Sequence, residues 1–537
     1  MTTISYRDGD KPLHEYLRAR AARQPEHTAF VWYGRHIGYR ELDRMSDAFA
    51  AWLIGIGVVP GDRVALFMQN CPQYVIAHFA IQKLGAIVGP CGPLFKAHEL
   101  QYQLEDLGAQ VVVAADILYP VIAEVRDRTS LRHVVLTNYA DMLPAEPDIC
   151  VPQEILGGRQ PVEGTVDFLA AIASADGRPI PGHRPDMDEV ALMTYTSGTT
   201  GLPKGAMLTY RNALFKTAAT SDVNWIGGDQ VLLAIAPLYH IAGMLMGIDV
   251  TVYTGATTVL MYRFEPLAVL QAIQRYRVTW WYSMAPMNVA VMQHPQACEF
   301  DLSSLKVNPA TSFGITLTKP LSEQWAAFTG GCALFEAAYG LSETHTMDTV
   351  MPKDGVRWGT QGRPAPGVEV RILDPDSGAE RPRGELGEIV LRSPGVFKGY
   401  WNKPEATVKT LRDGWVHTGD MGRLDEDGYL CFVGRFKEMI KVSGYSVFPE
   451  EVEAILVKHP AVFQAAVIGV PDAGKGEVVK AVLVLKPEAR GKVAAEEIIA
   501  WARGNMSTYK APREVEFRDA LPATGAGKLL RRLLKPQ

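Results

Sequence analysis

The stretch Tyr195-Thr-Ser-Gly-Thr-Thr-Gly-Leu-Pro-Lys-Gly205 combines three glycines, four serine or threonine residues and one lysine in eleven positions. The apolar segment before it, 190–195, predicts a short buried strand. Glycine allows positive φ angles and close approach, the hydroxyls add hydrogen-bond donors, and Lys204 adds a positive charge. This combination favours a loop that binds a polyphosphate.

A flexible Ser/Thr/Gly linker is the alternative interpretation, but a linker rarely ends in Pro-Lys-Gly directly after an apolar strand. The loop also departs from the two commoner nucleotide motifs, because it has neither the Walker spacing G-x-x-x-x-G-K-[ST] nor the dinucleotide spacing G-x-G-x-x-G. The stretch therefore indicates a different kind of nucleotide site.

Length and composition limit the classes of protein to consider. At 537 residues the chain is too long for one ordinary core, and its formal net charge of −5 gives no electrostatic reason to expect nucleic acid. Six cysteines without a C-x-x-C pair argue against a disulfide framework and a zinc site. No signal peptide is evident, and no uncharged apolar run reaches the ~18 residues of a membrane span. We expect a cytoplasmic protein without an integral membrane segment.

Helical and strand patterns alternate along the N-terminal part, which predicts an α/β fold with parallel sheets. The patterns are a helix over 13–24, a strand over 28–32, a helix over 39–53, strands over 62–68 and 109–115, and a helix over 75–84. Sequence rich in proline, glycine and acids between Ala145 and Asp188 predicts a loop.

A second unit begins near Gly434-Arg-Phe-Lys-Glu-Met-Ile-Lys441. A helix opening at Pro449 is followed by strands over 463–470 and 478–485, a helix over 496–506 and a strand over 514–517. About a hundred residues of this kind can form a small α+β domain. We expect a large domain over 1–434, a hinge over 435–437 and a small domain over 438–537.

Further stretches carry residues suited to nucleotide chemistry. Glu336-Ala-Ala-Tyr-Gly-Leu-Ser-Glu-Thr344 offers an acid that suits Mg²⁺, although it also fits a solvated turn. Trp415-Val-His-Thr-Gly-Asp420 and Gly434-Arg435 offer an acceptor for sugar hydroxyls and a donor to sugar or phosphate. Leu521-Pro-Ala-Thr-Gly-Ala-Gly-Lys528 places a lysine on a glycine-flanked loop, where an exposed lysine is the ordinary interpretation.

These motifs resemble, in the same order, those of the adenylate-forming superfamily. That family comprises acyl- and aryl-CoA synthetases, non-ribosomal peptide adenylation domains and luciferase-like enzymes. The resemblance covers nearly the whole chain, and the segment Val88–Leu104 resembles the N-terminal part of bacterial fatty-acyl-CoA ligases. It implies a large N-terminal domain of parallel or mixed sheets flanked by helices, with a β-barrel-like subdomain, and a small mobile C-terminal domain.

The resemblance also implies a role for each matching residue. The catalytic residues are Lys528, Lys204, Glu343 and His240, and Glu343 also holds the metal. The ATP-binding residues are Thr196, Ser197, Gly198, Thr199, Thr200, Gly201, Tyr339, Gly340, Ser342, Asp420 and Arg435. Lys437 is the hinge, and the CoA tunnel is lined by Lys441, Ser443, Gly444 and Tyr445. The acyl pocket is formed by His240, Met244, Trp281, Phe313 and Gly314.

The implied activity is that of an ATP-dependent acyl-CoA synthetase, with ATP, Mg²⁺ and CoA. Many relatives carry Gly-Gly-Ala-Pro or Ser-Gly-Ala-Ala-Pro where this chain has Ser312-Phe-Gly-Ile-Thr316. A phenylalanine there, with Met244 and Met246, would shorten the cavity if it points inward. We therefore expect short-to-medium or substituted acids, with several accepted because apolar pockets discriminate by only about 1–3 kcal/mol per methylene.

Several alternatives stay open at this stage. The acceptor could be a carrier protein or an amine in place of CoA, and the acid could be an aryl or phenylpropanoid acid. A non-catalytic nucleotide-binding protein would be expected to lack Lys528 or Glu343, and both are present. His240, among apolar neighbours, could be a packed core residue, and a homodimer is neither indicated nor excluded.

Overall fold

A computed structural model describes residues 4–180, 185–196, 202–312, 315–442, 445–472, 476–524 and 529–535. Within these ranges no helix is both long and apolar enough to cross a bilayer. The predicted residues Ser197, Gly198, Thr199, Thr200, Gly201, Phe313, Gly314, Ser443, Gly444 and Lys528 lie outside the described residues.

The strands follow in chain order. They are β1 (Thr28–Trp32), β2 (Arg35–Gly38), β3 (Arg63–Phe67), β4 (Ile87–Cys91), β5 (Val111–Ala115), β6 (His133–Thr137), β7 (Val166–Asp167), β8 (Val190–Thr196), β9 (Lys204–Thr209), β10 (Val231–Ala234), β11 (Thr257–Leu260), β12 (Trp280–Trp281), β13 (Ser283–Met284), β14 (Val307–Thr311), β15 (Ala333–Glu336), β16 (Thr349–Val350), β17 (Arg363–Pro364), β18 (Glu369–Leu373), β19 (Gly387–Arg392), β20 (Gly399–Tyr400), β21 (Leu411–Arg412), β22 (Trp415–Leu424), β23 (Leu430–Arg435), β24 (Ile440–Val442), β25 (Tyr445–Val447), β26 (Val462–Asp472), β27 (Gly476–Leu485) and β28 (Glu514–Phe517).

The helices are numbered in the same way. They are α1 (Leu13–Arg23), α2 (Tyr39–Gly55), α3 (Pro72–Lys83), α4 (Ala97–Leu107), α5 (Tyr119–Val125), α6 (Phe168–Ala175), α7 (Tyr210–Val223), α8 (Ile241–Met244), α9 (Val250–Thr254), α10 (Pro266–Tyr276), α11 (Ala285–Met292), α12 (Lys319–Thr329), α13 (Pro404–Thr410), α14 (Pro449–Leu456) and α15 (Ala495–Asn505). A π-helical turn, Leu245–Asp249, joins α8 to α9.

Two large sheets form the N-terminal part. The first sheet has the order β13-β14-β12-β10-β11-β1-β2, with β15 beside β14, and is parallel except for β2. The second has the order β20-β9-β8-β4-β3-β5-β6-β7, parallel from β8 to β7. One apolar core contains residues of both sheets together with α2 and α3. This arrangement confirms the predicted α/β class.

The carboxamide of Asn70 joins the two sheets where the site lies. It follows β3 of the second sheet and is almost fully buried. Its Nδ2 donates to the carbonyls of Ile235 and Ala236 after β10 and of Met261 after β11, and its Oδ1 accepts from the Leu238 amide. One side chain therefore bonds to four backbone groups and links the ends of three strands.

Besides the short antiparallel pair of β16 and β17, two larger sheets follow among the described residues. The third sheet has the order β18-β19-β22-β21 with β23 beside β22, is antiparallel throughout, and occupies the place expected for the barrel-like subdomain. The fourth sheet, β25-β24-β27-β26 with β28 beside β27, packs with α14 and α15 around a separate apolar core. The fourth sheet, the two helices and this core together form the C-terminal α+β unit.

The segment 145–188 corrects the sequence analysis, because it contains a helix rather than only loop. In α6, Phe168-Leu-Ala-Ala-Ile-Ala-Ser-Ala175, the Asp167 carboxylate caps the N-terminus by accepting from the Ala170 amide. Phe168 packs on Phe49 of α2, with ring centroids 4.6 Å apart. The apolar residues are few and are flanked by Pro-, Gly- and acid-rich sequence. The composition of the whole segment therefore predicted a loop, although these residues have helical spacing.

Candidate active site

The predicted phosphate loop joins two paired strands. In the antiparallel hairpin of β8 and β9, Thr196 stands opposite Lys204. The residues that precede and follow the loop are therefore direct neighbours in the sheet. The Lys204 ammonium is partly buried, and that burial, together with the positive charge of Lys437, lowers its pKa, whereas Glu343 acts to raise it. The lysine predicted for phosphate binding thus lies close to the predicted metal ligand and to the predicted hinge.

The loop that carries Glu343 has an unusual backbone. Ser342–Thr344 forms one 3₁₀ turn, and the next three residues, His345, Thr346 and Met347, all have positive φ angles of 56°, 57° and 49°. Consecutive left-handed non-glycine residues are strained and persist only when their surroundings hold them. A Cβ on Gly340 would lie 2.3 Å from the Met347 amide nitrogen, so the loop closes tightly on itself.

Asp420 and Arg435, predicted to bind ribose, are direct partners across β22 and β23. The Arg435 Nε lies 3.0 Å from Asp420 Oδ1, and the Tyr339 hydroxyl donates to Asp420 Oδ2 at 2.7 Å. The Tyr339 ring stacks on Phe432, with centroids 5.9 Å apart. Burial acts to lower the pKa of Arg435, but the negative charge of Asp420 keeps it above its usual value. These residues form one charged and aromatic wall.

Tyr400, which contacts two of the predicted residues, was missed by the sequence analysis. The Tyr400 hydroxyl donates to Glu343 Oε1 at 2.6 Å, and the Lys204 ammonium lies 4.3 Å from the centre of its ring. The available signal was weak, because Gly399-Tyr400 forms a two-residue strand without a periodic pattern. The contact arises only from the pairing of β20 with β9.

A small crevice opens beside α8 and the π-helical turn. Its lining residues are Leu233, Ala234, Ile235, Ala236, Gly243, Met246, Gly247 and Tyr282. A Cβ on Gly243 would lie 2.1 Å from the Pro237 carbonyl oxygen, so only glycine allows this close approach.

Of the residues predicted to shape the acyl pocket, some line the crevice and others lie in the core. Met246 lines the crevice, whereas Met244 belongs to the buried core. Trp281 is also absent from the lining, because its indole packs on Trp325 in the core, and its neighbour Tyr282 lines the crevice instead. His240 is exposed, and its Nδ1 accepts from the Ala242 amide at 3.3 Å. An exposed imidazole excludes the packed-core alternative for this histidine.

A partly buried carboxyl group close to the predicted pocket was also missed. Glu336, at the end of β15, accepts hydrogen bonds from the Ser312 hydroxyl and, at 3.3 Å, from the Ser312 amide. Burial raises the pKa of Glu336 to about 7, although the Ser312 hydrogen bonds act in the opposite direction. Glu336 was quoted as the first residue of the Glu336–Thr344 motif, but no role was assigned to it.

The predicted residues of the small domain follow the hinge closely. Lys437 lies in the 3₁₀ turn Phe436–Glu438 between β23 and β24. The Lys441 amide donates to Glu477 at 2.9 Å, and Tyr445 is exposed and stacks on Tyr509, with centroids 4.6 Å apart. These residues therefore lie on the surface that follows the hinge.

Comparisons with known proteins find relatives over nearly the whole chain. Residues 17–401 match the AMP-binding enzyme family, and residues 451–528 match the AMP-binding enzyme C-terminal domain. A long-chain-fatty-acid–CoA ligase of Bacillus subtilis (strain 168) is 36% identical over 98% of this chain and 94% of its own length. A feruloyl-CoA synthase of an Amycolatopsis species is 36% identical over 95% of this chain and 96% of its own.

A solved structure gives the same result at the level of the fold. The ATP-bound structure of MatB from Rhodopseudomonas palustris has a TM-score of 0.84, with 29% identity over 97% of this chain and 98% of that one.

Together the fold and the site define an adenylate-forming enzyme, and the chain belongs to the AMP-binding enzyme family. Within that family it is an AMP-forming acid–CoA ligase, similar to bacterial fatty-acyl-CoA ligases, that makes an acyl-adenylate from ATP and then an acyl-CoA. ATP and CoA are its co-substrates.

Proposed function

We propose that the carboxylic acid is a short-to-medium or substituted acid, and that the residues described above perform its ligation to CoA. The lining of the crevice is the observation that supports this proposal. The bulky side chains of Met246 and Tyr282 occupy space there that a long alkyl chain would need.

The first half-reaction joins two anions. A carboxylate oxygen attacks the α-phosphorus of ATP, the bond to the β-phosphate oxygen breaks, and pyrophosphate leaves with the electron pair. Catalysis therefore consists of positioning and charge neutralisation. In this proposal Lys204 and the loop Thr196–Gly201 hold the phosphates, Lys528 lies between carboxylate and α-phosphate, and the Asp420–Arg435 pair orients the ribose.

Glu343 would hold Mg²⁺ in this site. Its carboxylate offers the hard oxygen ligands that magnesium prefers, and the Tyr400 hydroxyl bonds to only one of its two oxygens. The ion would supply positive charge beside the phosphates, and the remaining residues position the substrates.

The second half-reaction forms the thioester. The CoA thiol, as thiolate, attacks the acyl carbonyl carbon, the carbon–oxygen bond to AMP breaks, and AMP leaves. We propose a large domain over 1–434 and a small domain over 438–537 that turns about Lys437 between the two steps. The separate apolar core of the fourth sheet, α14 and α15 supports this division. Lys441, Ser443, Gly444 and Tyr445 would then line the path of the thiol.

A panel of acids tests the proposal. Pyrophosphate release is measured with straight-chain acids from acetate to palmitate and with aryl-propenoates, each with and without CoA. CoA-dependent turnover that is greatest for short-to-medium or substituted acids is the expected result. A maximum at palmitate would contradict the proposed pocket, and a single equivalent of pyrophosphate regardless of CoA would indicate a carrier protein or an amine as the acceptor.

An aryl-propenoate is the second candidate substrate. The feruloyl-CoA synthase and the long-chain-fatty-acid–CoA ligase show the same 36% identity, so overall similarity does not separate them. Tyr282 in the crevice favours the aryl alternative, because aromatic rings pack on one another with additional stabilisation. In the panel this candidate predicts that an aryl-propenoate exceeds every straight-chain acid in kcat/KM.

A further inference from the structure

Tyr400 stands between two groups of opposite charge in the proposed site. Its hydroxyl donates to Glu343 Oε1 at 2.6 Å, and the ammonium of Lys204 lies over its ring, 4.3 Å from the centre. The tyrosine is 5% exposed, and both of its partners are partly buried. One side chain therefore contacts both the proposed metal ligand and the proposed phosphate-binding lysine.

The backbone holds Tyr400 in this position from three directions. Strand β20 pairs with β9, which begins at Lys204, and places Tyr400 opposite Ala206. The Tyr400 amide donates to the Thr407 hydroxyl of α13 at 2.9 Å. Three residues earlier, the Phe397 amide donates to the Glu343 carbonyl at 2.8 Å. The loop of Glu343 and the strand of Lys204 are thus both anchored on the short segment that carries Tyr400.

Physical chemistry explains what such a residue does between two charges. Without the ring, an ammonium and a carboxylate that already influence each other in a partly buried site would attract each other into a direct ion pair. In that ion pair the ammonium would no longer be available to bind the nucleotide, and the carboxylate would no longer be available to bind the metal. The ring face attracts the ammonium through its quadrupole, and the hydroxyl uses only one oxygen of the carboxylate.

The geometry points to Tyr400 as a positioning residue that separates Lys204 from Glu343 and keeps both available for the nucleotide and its metal. This inference rests on the proposed function of the site. Tyr400 itself transfers no proton. Burial, and the charge of Glu343, raise the pKa of its phenol, so the hydroxyl stays protonated and acts as a donor at neutral pH.

Two substitutions separate the two contacts. Tyr400→Phe removes only the hydroxyl, whereas Tyr400→Met removes the hydroxyl and the ring but keeps an apolar side chain of moderate volume. Tyr429→Phe is the matched control, because Tyr429 is also buried, donates to the Gly355 carbonyl at 2.6 Å and has Arg357 4.4 Å from its ring centre. Thermal unfolding of each variant shows how much of any effect is a loss of stability.

The readouts are ATP binding by calorimetry without metal, and the Mg²⁺ concentration that gives half-maximal pyrophosphate release. Tyr400→Phe should raise that Mg²⁺ concentration about tenfold, which is the change in affinity expected from the loss of one hydrogen bond to a charged group. It should leave metal-free ATP binding within a factor of two.

Tyr400→Met should in addition weaken metal-free ATP binding, because Lys204 then pairs with Glu343. Adding Glu343→Gln to Tyr400→Met should restore that binding, since the competing carboxylate is gone.

The outcomes distinguish the inference from the function on which it rests. Failure of the wild-type protein to bind ATP would contradict the proposed function itself. Normal ATP binding and normal Mg²⁺ dependence in both Tyr400 variants, with only a lower melting temperature, would show that Tyr400 is merely structural. If Tyr400→Met does not fold, Tyr400→Phe still decides whether the hydroxyl supports Glu343. The Tyr429 control should change neither readout.

Discussion

The ammonium of Lys216 lies 2.7 Å from Asp348 Oδ1, and both side chains are completely buried. Lys216 also donates to the Met347 carbonyl at 3.1 Å, and the Thr344 hydroxyl donates to the other oxygen of Asp348. Burial lowers the pKa of Lys216 and raises that of Asp348, while the attraction between them acts against both shifts. The pair closes the strained loop that carries Glu343.

Lys216→Met should therefore destabilise the protein by about 3–5 kcal/mol, because the Asp348 charge would stay buried without its cation. Denaturant unfolding measures this effect. The double variant Lys216→Met/Asp348→Leu should recover much of the loss, because it removes the orphaned charge. A double variant as unstable as the single one would contradict this explanation.

Asp420→Asn should raise KM for ATP about ten- to hundredfold, the size expected when hydrogen bonds lose a charged acceptor. Its KM values for the acid and for CoA should stay the same, since Asp420 is placed beside Arg435 and Tyr339 rather than beside the crevice. Steady-state pyrophosphate release with each substrate varied in turn gives these values. Asp425→Asn is the control, because Asp425 lies in the turn between β22 and β23 and is bound to Arg357, and it should leave KM for ATP unchanged. An equal increase in all three KM values would point to general disruption instead.

Lys528→Ala should block formation of the acyl-adenylate but leave thioester formation from a supplied acyl-adenylate nearly intact. In the proposed mechanism Lys528 supplies positive charge only while the carboxylate approaches the α-phosphate. Its removal should therefore affect the adenylation step and not the thioester-forming step. Pyrophosphate release and AMP release from the supplied adenylate measure the two steps separately. Equal loss of both activities would argue against this division.

Met246→Ala should move the preferred acid toward longer chains. Each additional methylene that becomes buried adds about 0.8 kcal/mol, or roughly fourfold in kcat/KM for the longer acid. The ratio of kcat/KM between neighbouring chain lengths measures this. Met244→Ala is the matched control, because Met244 lies in the core rather than in the crevice, and it should lower stability without changing the ratio. A change in the ratio for both variants would mean that the crevice is not the acyl pocket.

Glu336→Gln should change the pH dependence of stability. Because burial raises the pKa of Glu336 to about 7, the native state binds this proton more tightly than the unfolded chain. The resulting stabilisation is complete below the ordinary carboxyl pKa and is lost as pH rises through about 7. The free energy of unfolding of Glu336→Gln relative to wild type should therefore improve by up to about 3 kcal/mol between about pH 5 and about pH 8. Exposed Glu323 provides the control substitution, and a constant difference across this range would refute the assignment.

The elements of the chain were largely predictable because their signals are local. The predicted helix over 39–53 became α2, since Leu42, Met45, Phe49 and Leu53 recur at helical spacing and are all buried. The start of α14 at Pro449 was also predicted, because proline suits the first turn of a helix. Helix α6 was missed because its eight residues are too few to dominate the composition around them.

The motifs of the site were likewise readable from the sequence, because glycines, hydroxyls and charges at fixed spacing reflect local needs of phosphate and metal binding. They established the class of enzyme and the order of its parts. The contacts of Tyr400 with Glu343 and Lys204, of Lys216 with Asp348, and of Tyr282 rather than Trp281 with the crevice were decided only by the tertiary structure. The first two contacts join segments that are distant in sequence, and the third depends on which face of the sheet each side chain occupies. Both properties are set by the pairing and register of strands, for which the sequence carries no local signal.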